Sequence, residues 1–229
     1  METKPALVVL SNFFHKDVAP EYNMSALWEQ WVSSCDWILA ESPKGIGKIF
    51  SHMSVRKPYE LFRDYNQKKE IKDRIEDIIM NKERVGMLSD AGHACIADPG
   101  LQWIDAGRQY GCNVFISPGM CSFIGALAVS GFSSQRYEFH GYLPFKEDAR
   151  SSYLHRLFGS ARQGITQIVM ETPYRNEAFL EEIRNQCPQG IRVCIAENVM
   201  DGRQRVQVGS YPFDALTVNK EPTTFLFST

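Results

Sequence analysis

The sequence predicts an α/β protein built in two halves. Three observations lead there: short β-branched apolar runs, amphipathic stretches alternating with them, and a Pro-Gly break near the middle after which the pattern restarts. The 229 residues suffice for one large or two small domains with real hydrophobic cores. Hydrophobic residues at 44% and charged residues at 23% are ordinary for a folded globular chain and exclude a disordered or collagen-like one. With 25 Lys and Arg against 27 Asp and Glu, the net charge of −2 excludes a uniformly basic surface. No apolar stretch approaches the ~20 residues that cross a bilayer, so no membrane partner is expected. The opening Met1 to Pro5 lacks the basic region and cleavage site of a signal peptide, and a cytoplasmic location is expected. Six cysteines are scattered without a C-x-x-C pair or zinc-ligand spacing, which predicts free thiols and no metal site.

In order along the chain, Ala6 to Leu10 is a continuously apolar run suited to a strand buried on both faces. Ser25 to Ser34 follows as a helix with Ser25 at its cap and Leu27, Trp31 and Ser34 on one face. Asp36 to Ala40 is a second strand. Asn66 to Met80 is the clearest helix, with Ile71, Ile75, Ile78 and Ile79 on one stripe and its charges on a solvated face. Val85 to Ser89 is a third strand, Leu101 to Tyr110 a helix ended by Gly111, Asn113 to Ile116 a fourth strand, and Ser122 to Ser130 a helix. The boundary between halves falls at Ser117 to Met120, giving domains 1–118 and 119–229. The second half is richer in strands: Tyr137 to Tyr142, Thr166 to Met170, Arg192 to Ala196, Arg205 to Val208 and Thr223 to Ser228, with a helix at Asn176 to Asn185.

Ligands of open α/β sheets bind beyond the carboxyl ends of strands, so the loops after the apolar runs are the candidates for chemistry. The first is Ser89-Asp90-Ala91-Gly92 running on to Asp98-Pro99-Gly100. Its small residues admit a ligand to the backbone, and the Asp90 carboxylate suits ribose hydroxyls or an amino group. Asp98 reads first as the cap of the following helix with Pro99 at its first position. The second loop is Ser117-Pro118-Gly119-Met120-Cys121-Ser122, which reads either as a helix-start anion site or as a plain interdomain turn. The third, Glu171-Thr172-Pro173-Tyr174-Arg175, places an acid, an aromatic and a guanidinium at a strand end; it fits a substrate-orienting site or a surface turn that starts a helix.

Other signals are weaker. Gly45-Ile46-Gly47-Lys48 lacks P-loop spacing, and no G-x-G-x-x-G follows the first strand. His93 and His140 adjoin the candidate loops, where packing is the simpler reading of each.

Read together and in order, these segments resemble the tetrapyrrole methylase superfamily of S-adenosylmethionine-dependent methyltransferases, on the branch that methylates cytidine 2'-hydroxyls of ribosomal RNA. The resemblance is carried by Leu88 to Gly92, Asp98-Pro99-Gly100, Ser117-Pro118-Gly119 with Ser122, Ala126 to Phe132, and Phe139 to Pro144. It continues more thinly through Ile38 to Glu41, Glu171 to Arg175, Ala196-Glu197-Asn198 and Val206 to Ser210. The chain departs from the family where the first strand runs into Ser11-Asn12-Phe13 in place of Pro-x-Gly-Asn-Leu, and where Ser42-Pro43-Lys44 follows Glu41 in place of Asp-Thr-Arg.

The resemblance implies two α/β domains of the tetrapyrrole methylase type with S-adenosyl-L-methionine in the cleft between them, assembled as a homodimer. It implies cofactor contacts at Asp90, Ala91, Gly92, Asp98, Gly119, Ser122, Phe123, Met170, Tyr174 and Thr223, and substrate-facing roles for Glu41, Glu171 and Arg175. Glu41, Glu171 and His140 are the available bases for a hydroxyl acceptor. An RNA acceptor would meet Lys44, Lys48, Arg56, Lys57 and Arg63. Two other readings stay open: a methyltransferase of small tetrapyrrole-like molecules, and a non-catalytic module that keeps the cofactor pocket.

Overall fold

The computed structural model describes residues 5–12, 25–119 and 121–229, the side chains of 25–27 excepted. It divides into two compact units, Met1–Met120 and Cys121–Thr229.

The first unit runs β1 (Ala6–Val9), β2 (Ser11–Asn12), α1 (Ser25–Ser33), β3 (Trp37–Ala40), α2 (Pro43–Phe50), β4 (Tyr59–Leu61), α3 (Lys68–Met80), β5 (Arg84–Leu88), β6 (Gly92–His93), α4 (Leu101–Gln109) and β7 (Asn113–Ile116). Five strands form a sheet in the order β4-β3-β5-β1-β7, and every pairing is parallel. Parallel strands lose apolar side chains to both faces, which is why β1 and β3 read as unbroken apolar runs. Leu7, Val9, Leu39, Val85 and Met87 pack with Ile71, Ile75 and Ile78 of α3 and Trp103 of α4. Val8, Leu10, Ile38, Ala40 and Leu88 face the other way, against Trp28 and Val32 of α1 and Ile46 and Ile49 of α2.

One expectation changes here, and one helix is added. The buried face of α1 is Trp28 and Val32, continued by Cys35; Trp31 is only half-buried, Ser34 is exposed beyond the helix, and the Ser25 and Leu27 side chains lie outside the described set. The glycine-containing segment after β3 is a helix, α2, capped by Ser42, whose hydroxyl accepts from the Gly45 N–H at 3.1 Å, with Pro43 at its first position.

The second unit runs α5 (Ser122–Ser130), β8 (Tyr137–Tyr142), α6 (Glu147–Arg162), β9 (Thr166–Glu171), α7 (Asn176–Gln186), β10 (Arg192–Glu197), β11 (Arg205–Ser210) and β12 (Thr223–Ser228). Its sheet order is β11-β10-β12-β9-β8, antiparallel except for the β8–β9 pair. Phe225 and Phe227 of β12 face Phe158 of α6 and Phe179 of α7, while Leu226 faces Ala126 and Leu127 of α5. Helix α6 was not expected, although Leu154, Leu157, Phe158 and Ala161 form its buried stripe.

Among the described residues no helix is long and apolar enough to cross a membrane. The six cysteines are free; Cys35, Cys112, Cys187 and Cys194 are buried, and burial pushes the Cys194 thiol up to about 12.

Candidate functional site

In the first unit the parallel order β3-β5-β1 brings three strand ends to one edge, so Glu41, Ser89 to Gly92 and Ser11-Asn12 become neighbours despite their separation in sequence. The two-residue ribbon β2–β6 pairs Ser11 with His93 and Asn12 with Gly92. Asn12 is buried, and its carboxamide donates to the carbonyls of Ser89 at 2.7 Å and Asp90 at 3.2 Å. Two amide protons thereby hold the backbone of the candidate loop. Gly92 sits at φ 70°, the left-handed region that glycine adopts without strain, and the turn into β6 uses it.

Asp90 is held from three sides. Its N–H donates to Glu41 Oε2 at 2.9 Å, its carbonyl accepts from Asn12, and its Oδ1 accepts from the Ser42 hydroxyl at 2.6 Å. Its Oδ2 takes no hydrogen bond from the described residues and is left for a donor. Gly45 of α2 lies against this carboxylate so closely that a Cβ would collide with Oδ1. The Lys48 ammonium on the same helix is half-buried; burial pushes it down to about 8 with Lys44 adding, while Asp90 pulls the other way.

Asp98 does not cap α4. Gly100, at φ 129°, occupies the cap position without a side-chain bond, and Pro99 precedes the helix. The Asp98 carboxyl is instead pushed up to about 7 by burial first and then by the charges of Glu41 and Asp90, with the Ser89 hydroxyl opposing. It lines a groove of about 290 Å³ with Phe62, Tyr65, Leu101 and Trp103. The Pro118-Gly119 turn is anchored below: Ser117 Oγ accepts from the Ser11 N–H at 3.0 Å, and His93 Nε2 meets the Ser117 carbonyl at 3.0 Å. A carbonyl can only accept, so Nε2 carries the proton and the imidazole packs rather than serving as a base from that atom. Gly119 rests on Ser11 and His93 with no room for a Cβ.

In the second unit Glu171 is buried at the end of β9. Arg175 forks onto both its oxygens at 2.9 and 2.7 Å, and the Thr172 N–H and hydroxyl complete its acceptors. Tyr174 is left 74% exposed on the turn so formed. Met170 is half-buried in β9 opposite Thr224. Thr223 accepts from Asn176 Nδ2 at 2.9 Å and donates to the Glu221 carbonyl at 2.7 Å. Ser122 opens α5, and the next ring, Phe123, stacks on Phe139 at 4.0 Å. His140 is held between the Tyr153 hydroxyl and Gln167 Oε1, both at 2.8 Å.

Of the basic stretch, Lys57 reaches the Ser33 carbonyl and Arg56 lies over Phe50, so both are engaged within the unit. Sequence reasoning missed Asn12 and Ser42 as site residues. Ser42-Pro43 was a readable helix start; nothing local marked Asn12.

Residues 24–210 match the family model of the tetrapyrrole (corrin/porphyrin) methylases. The chain belongs to that family. Among curated tetrapyrrole methylase relatives, the ribosomal RNA small subunit methyltransferase I of Pasteurella multocida is 33% identical over 150 residues, 66% of this chain and 50% of the relative. The chain thus spans about half the length of the first curated relatives it matches. The hypothetical protein APE0931 of Aeropyrum pernix aligns over 99% of this chain and 85% of its own, with a TM-score of 0.68 at 15% identity. A Thermus thermophilus uroporphyrin-III C-methyl transferase, solved with S-adenyl homocysteine, aligns over 97% of each chain with a TM-score of 0.57 at 12% identity. These likenesses agree on the two-domain α/β fold.

Proposed function

We propose that the chain is an S-adenosylmethionine-dependent methyltransferase that transfers a methyl group to a ribose 2'-hydroxyl of ribosomal RNA. The observation that carries this reading is the Asp90–Gly92 loop. It is small, fixed by Asn12 and Glu41, and leaves Asp90 Oδ2 as an acceptor for the amino group or ribose hydroxyls of the cofactor. That acceptor set fits S-adenosylmethionine, and the relatives named ribosomal RNA small subunit methyltransferase I supply the substrate class.

Asp90, Ala91, Gly92 and Gly119 of the first unit would hold the cofactor. Asp98, Ser122, Phe123, Met170, Tyr174 and Thr223 stay in the proposal by correspondence of motifs. Bound S-adenosylmethionine supplies a methyl group already activated by its sulfonium, so the chain's own task is orientation and proton removal. Glu41 positions Asp90 through its N–H, and the Glu171–Arg175 pair sets the turn that carries Tyr174. Lys44, Lys48 and Arg63 remain as phosphate contacts. A cytoplasmic homodimer completes the reading; the dimer is supported by the edge strand β7, where Phe115 and Ile116 are exposed.

Isothermal titration is expected to show binding of S-adenosylmethionine and S-adenosylhomocysteine, with Asp90→Ala weakening both about tenfold or more. Binding of neither overturns the methyltransferase reading. Labelled methyl transfer into RNA from a strain lacking the protein, followed by nucleoside mapping, tests the acceptor. Transfer only to a porphyrinoid, insensitive to salt, makes it a small-molecule enzyme instead.

A further inference from the structure

Resting on the RNA reading above, we propose that the groove beside Asp98 is the site for a nucleobase, that of the nucleotide to be methylated, and that Asp98 reads the edge of that base.

The groove is built by segments far apart in sequence. Phe62 and Tyr65 follow β4, and Asp98 to Trp103 runs from the β5 loop into α4; with Ile71 of α3 they line about 290 Å³. Phe62 and Trp103 are buried, and the half-buried Tyr65 ring meets Trp103 edge-on at 4.9 Å, so the apolar side of the groove is largely aromatic. Leu101, 66% exposed, stands at its rim. The loop that carries Asp98 is tightly shaped. Cys95 and Ala97 take φ of 69° and 60°, and Gly100 packs so closely on Cys95 Sγ and Met87 Cε that a Cβ would collide with both. Left-handed backbone at residues other than glycine persists where the surroundings over-determine it, as ligand sites do.

Size and chemistry together choose the occupant. The groove lies near the lower end of the ~300–1,000 Å³ that small-molecule sites span, which suits one flat ring system better than a whole cofactor. Aromatic walls favour a base, which stacks. Asp98 supplies the carboxyl, pushed up to about 7 by burial first and then by the charges of Glu41 and Asp90, so near neutrality much of it is the neutral acid. A neutral acid offers one donor beside one acceptor, whereas a carboxylate only accepts. Cytosine and adenine answer that pattern best, since each sets an amino donor beside a ring nitrogen, a stronger acceptor than a carbonyl oxygen. Motif correspondence put Asp98 with the cofactor; the groove it lines puts it with the acceptor.

The titratable groups about Asp98 are Glu41 after β3, Asp90 on the β5 loop, Cys95 on its own loop and Tyr65 across the groove. Burial, with Asp98 adding, pushes the Cys95 thiol up to about 11, and burial with the bond to Glu60 pushes the Tyr65 hydroxyl up to about 12, so neither titrates near neutrality. Glu60 is paired by Arg74, and Asp64 accepts the Leu61 N–H.

Two readouts test the site. Nucleoside titration of the intact protein by NMR, with S-adenosylhomocysteine present, is expected to show cytidine or adenosine bound, with a Kd about tenfold weaker at pH 8 than at pH 6. Asp98→Asn, the amide counterpart of the neutral acid, should bind at both pH values as wild type does at pH 6, and Asp98→Ala should bind about tenfold more weakly than that at either. In methyl transfer to RNA, Asp98→Ala should lower kcat/KM about tenfold or more at pH 6 with the S-adenosylmethionine Kd unchanged. The ratio of Asp98→Asn to wild type should rise about tenfold from pH 6 to pH 8, a trend in which ionisations shared by both proteins cancel. The site is overturned if wild type binds no nucleoside, if that ratio is flat in pH, or if Asp98→Ala loses S-adenosylmethionine rather than nucleoside. If wild type binds the nucleosides through Asp98 yet methylates no RNA, the groove stands as a base site and the RNA-methylation reading falls alone.

Discussion

The two units treat the carboxylates at their candidate strand ends in opposite ways, although elsewhere in the first Arg74 pairs with both Glu60 and Glu83. In the second, Glu171 and Glu197 are buried at strand ends and each is met by a guanidinium, Arg175 and Arg205. In the first, Glu41, Asp90 and Asp98 gather at one edge of the parallel sheet, no arginine pairs with them among the described residues, and burial first, with the charges of Glu41 and Asp90 adding, pushes the Asp98 carboxyl up to about 7. Strand direction is not the difference, since Glu171 and Glu197 both register with Thr223 at one edge of the second sheet; what differs is the arginine placed on each acid there. Unrelieved charge at a strand edge is a place for a ligand or a proton relay; a clamped acid is a fastener.

The contrast breaks most visibly if the fastener is removed. Arg175→Ala leaves Glu171 buried without its partner and should destabilise the protein by about 3 kcal/mol, seen as a lower melting temperature. An unchanged melt would make the clamp decorative and erase the difference between the units. In the first unit the sign reverses. Asp98 has its folded-state pKa raised from 3.8 to about 7, so the folded chain binds the extra proton in that window and stability is lost as pH rises through it. Asp98→Asn removes the penalty: it should stabilise the protein at pH 8 by about 2 kcal/mol and do nothing near pH 3. Equal melting shifts at both pH values would refute the assignment. The smallest effect is expected at Asn12→Ala, which frees the carbonyls of Ser89 and Asp90. It should cost about 1 to 2 kcal/mol in denaturant titration, with cofactor affinity falling more than stability.

Much of the fold was legible because its signals are local. Ala6 to Val9 and Asn113 to Ile116 announce strands by their own composition, and the Ile71–Ile75–Ile78 stripe announces α3. Helix α2 was not, since Gly45 and Gly47 depress helix propensity; their reason is the approach to Asp90, a tertiary fact at Gly45. Helix α6 carried a readable stripe diluted by Ser151, Ser152 and Gly159. At the site, the Asp90–Gly92 loop was legible from its letters. Its supports were not: Asn12 lies 77 residues from Ser89 and Glu41 lies 49 from Asp90, and only the strand order β3-β5-β1 makes them neighbours. Asp98 was misread as a cap because Asp-Pro is a common helix start; here the positive φ of Gly100 starts the helix two residues later.

The short ribbon that ties Ser11-Asn12 to Gly92-His93 also sets how the gene can be recombined. These two segments behave as one unit of exchange although some eighty residues of chain separate them. A crossover that takes β1 from one parent and the β5 loop from another inherits a carboxamide and a set of carbonyls that never co-adapted, so viable chimaeras will carry both halves of the ribbon together.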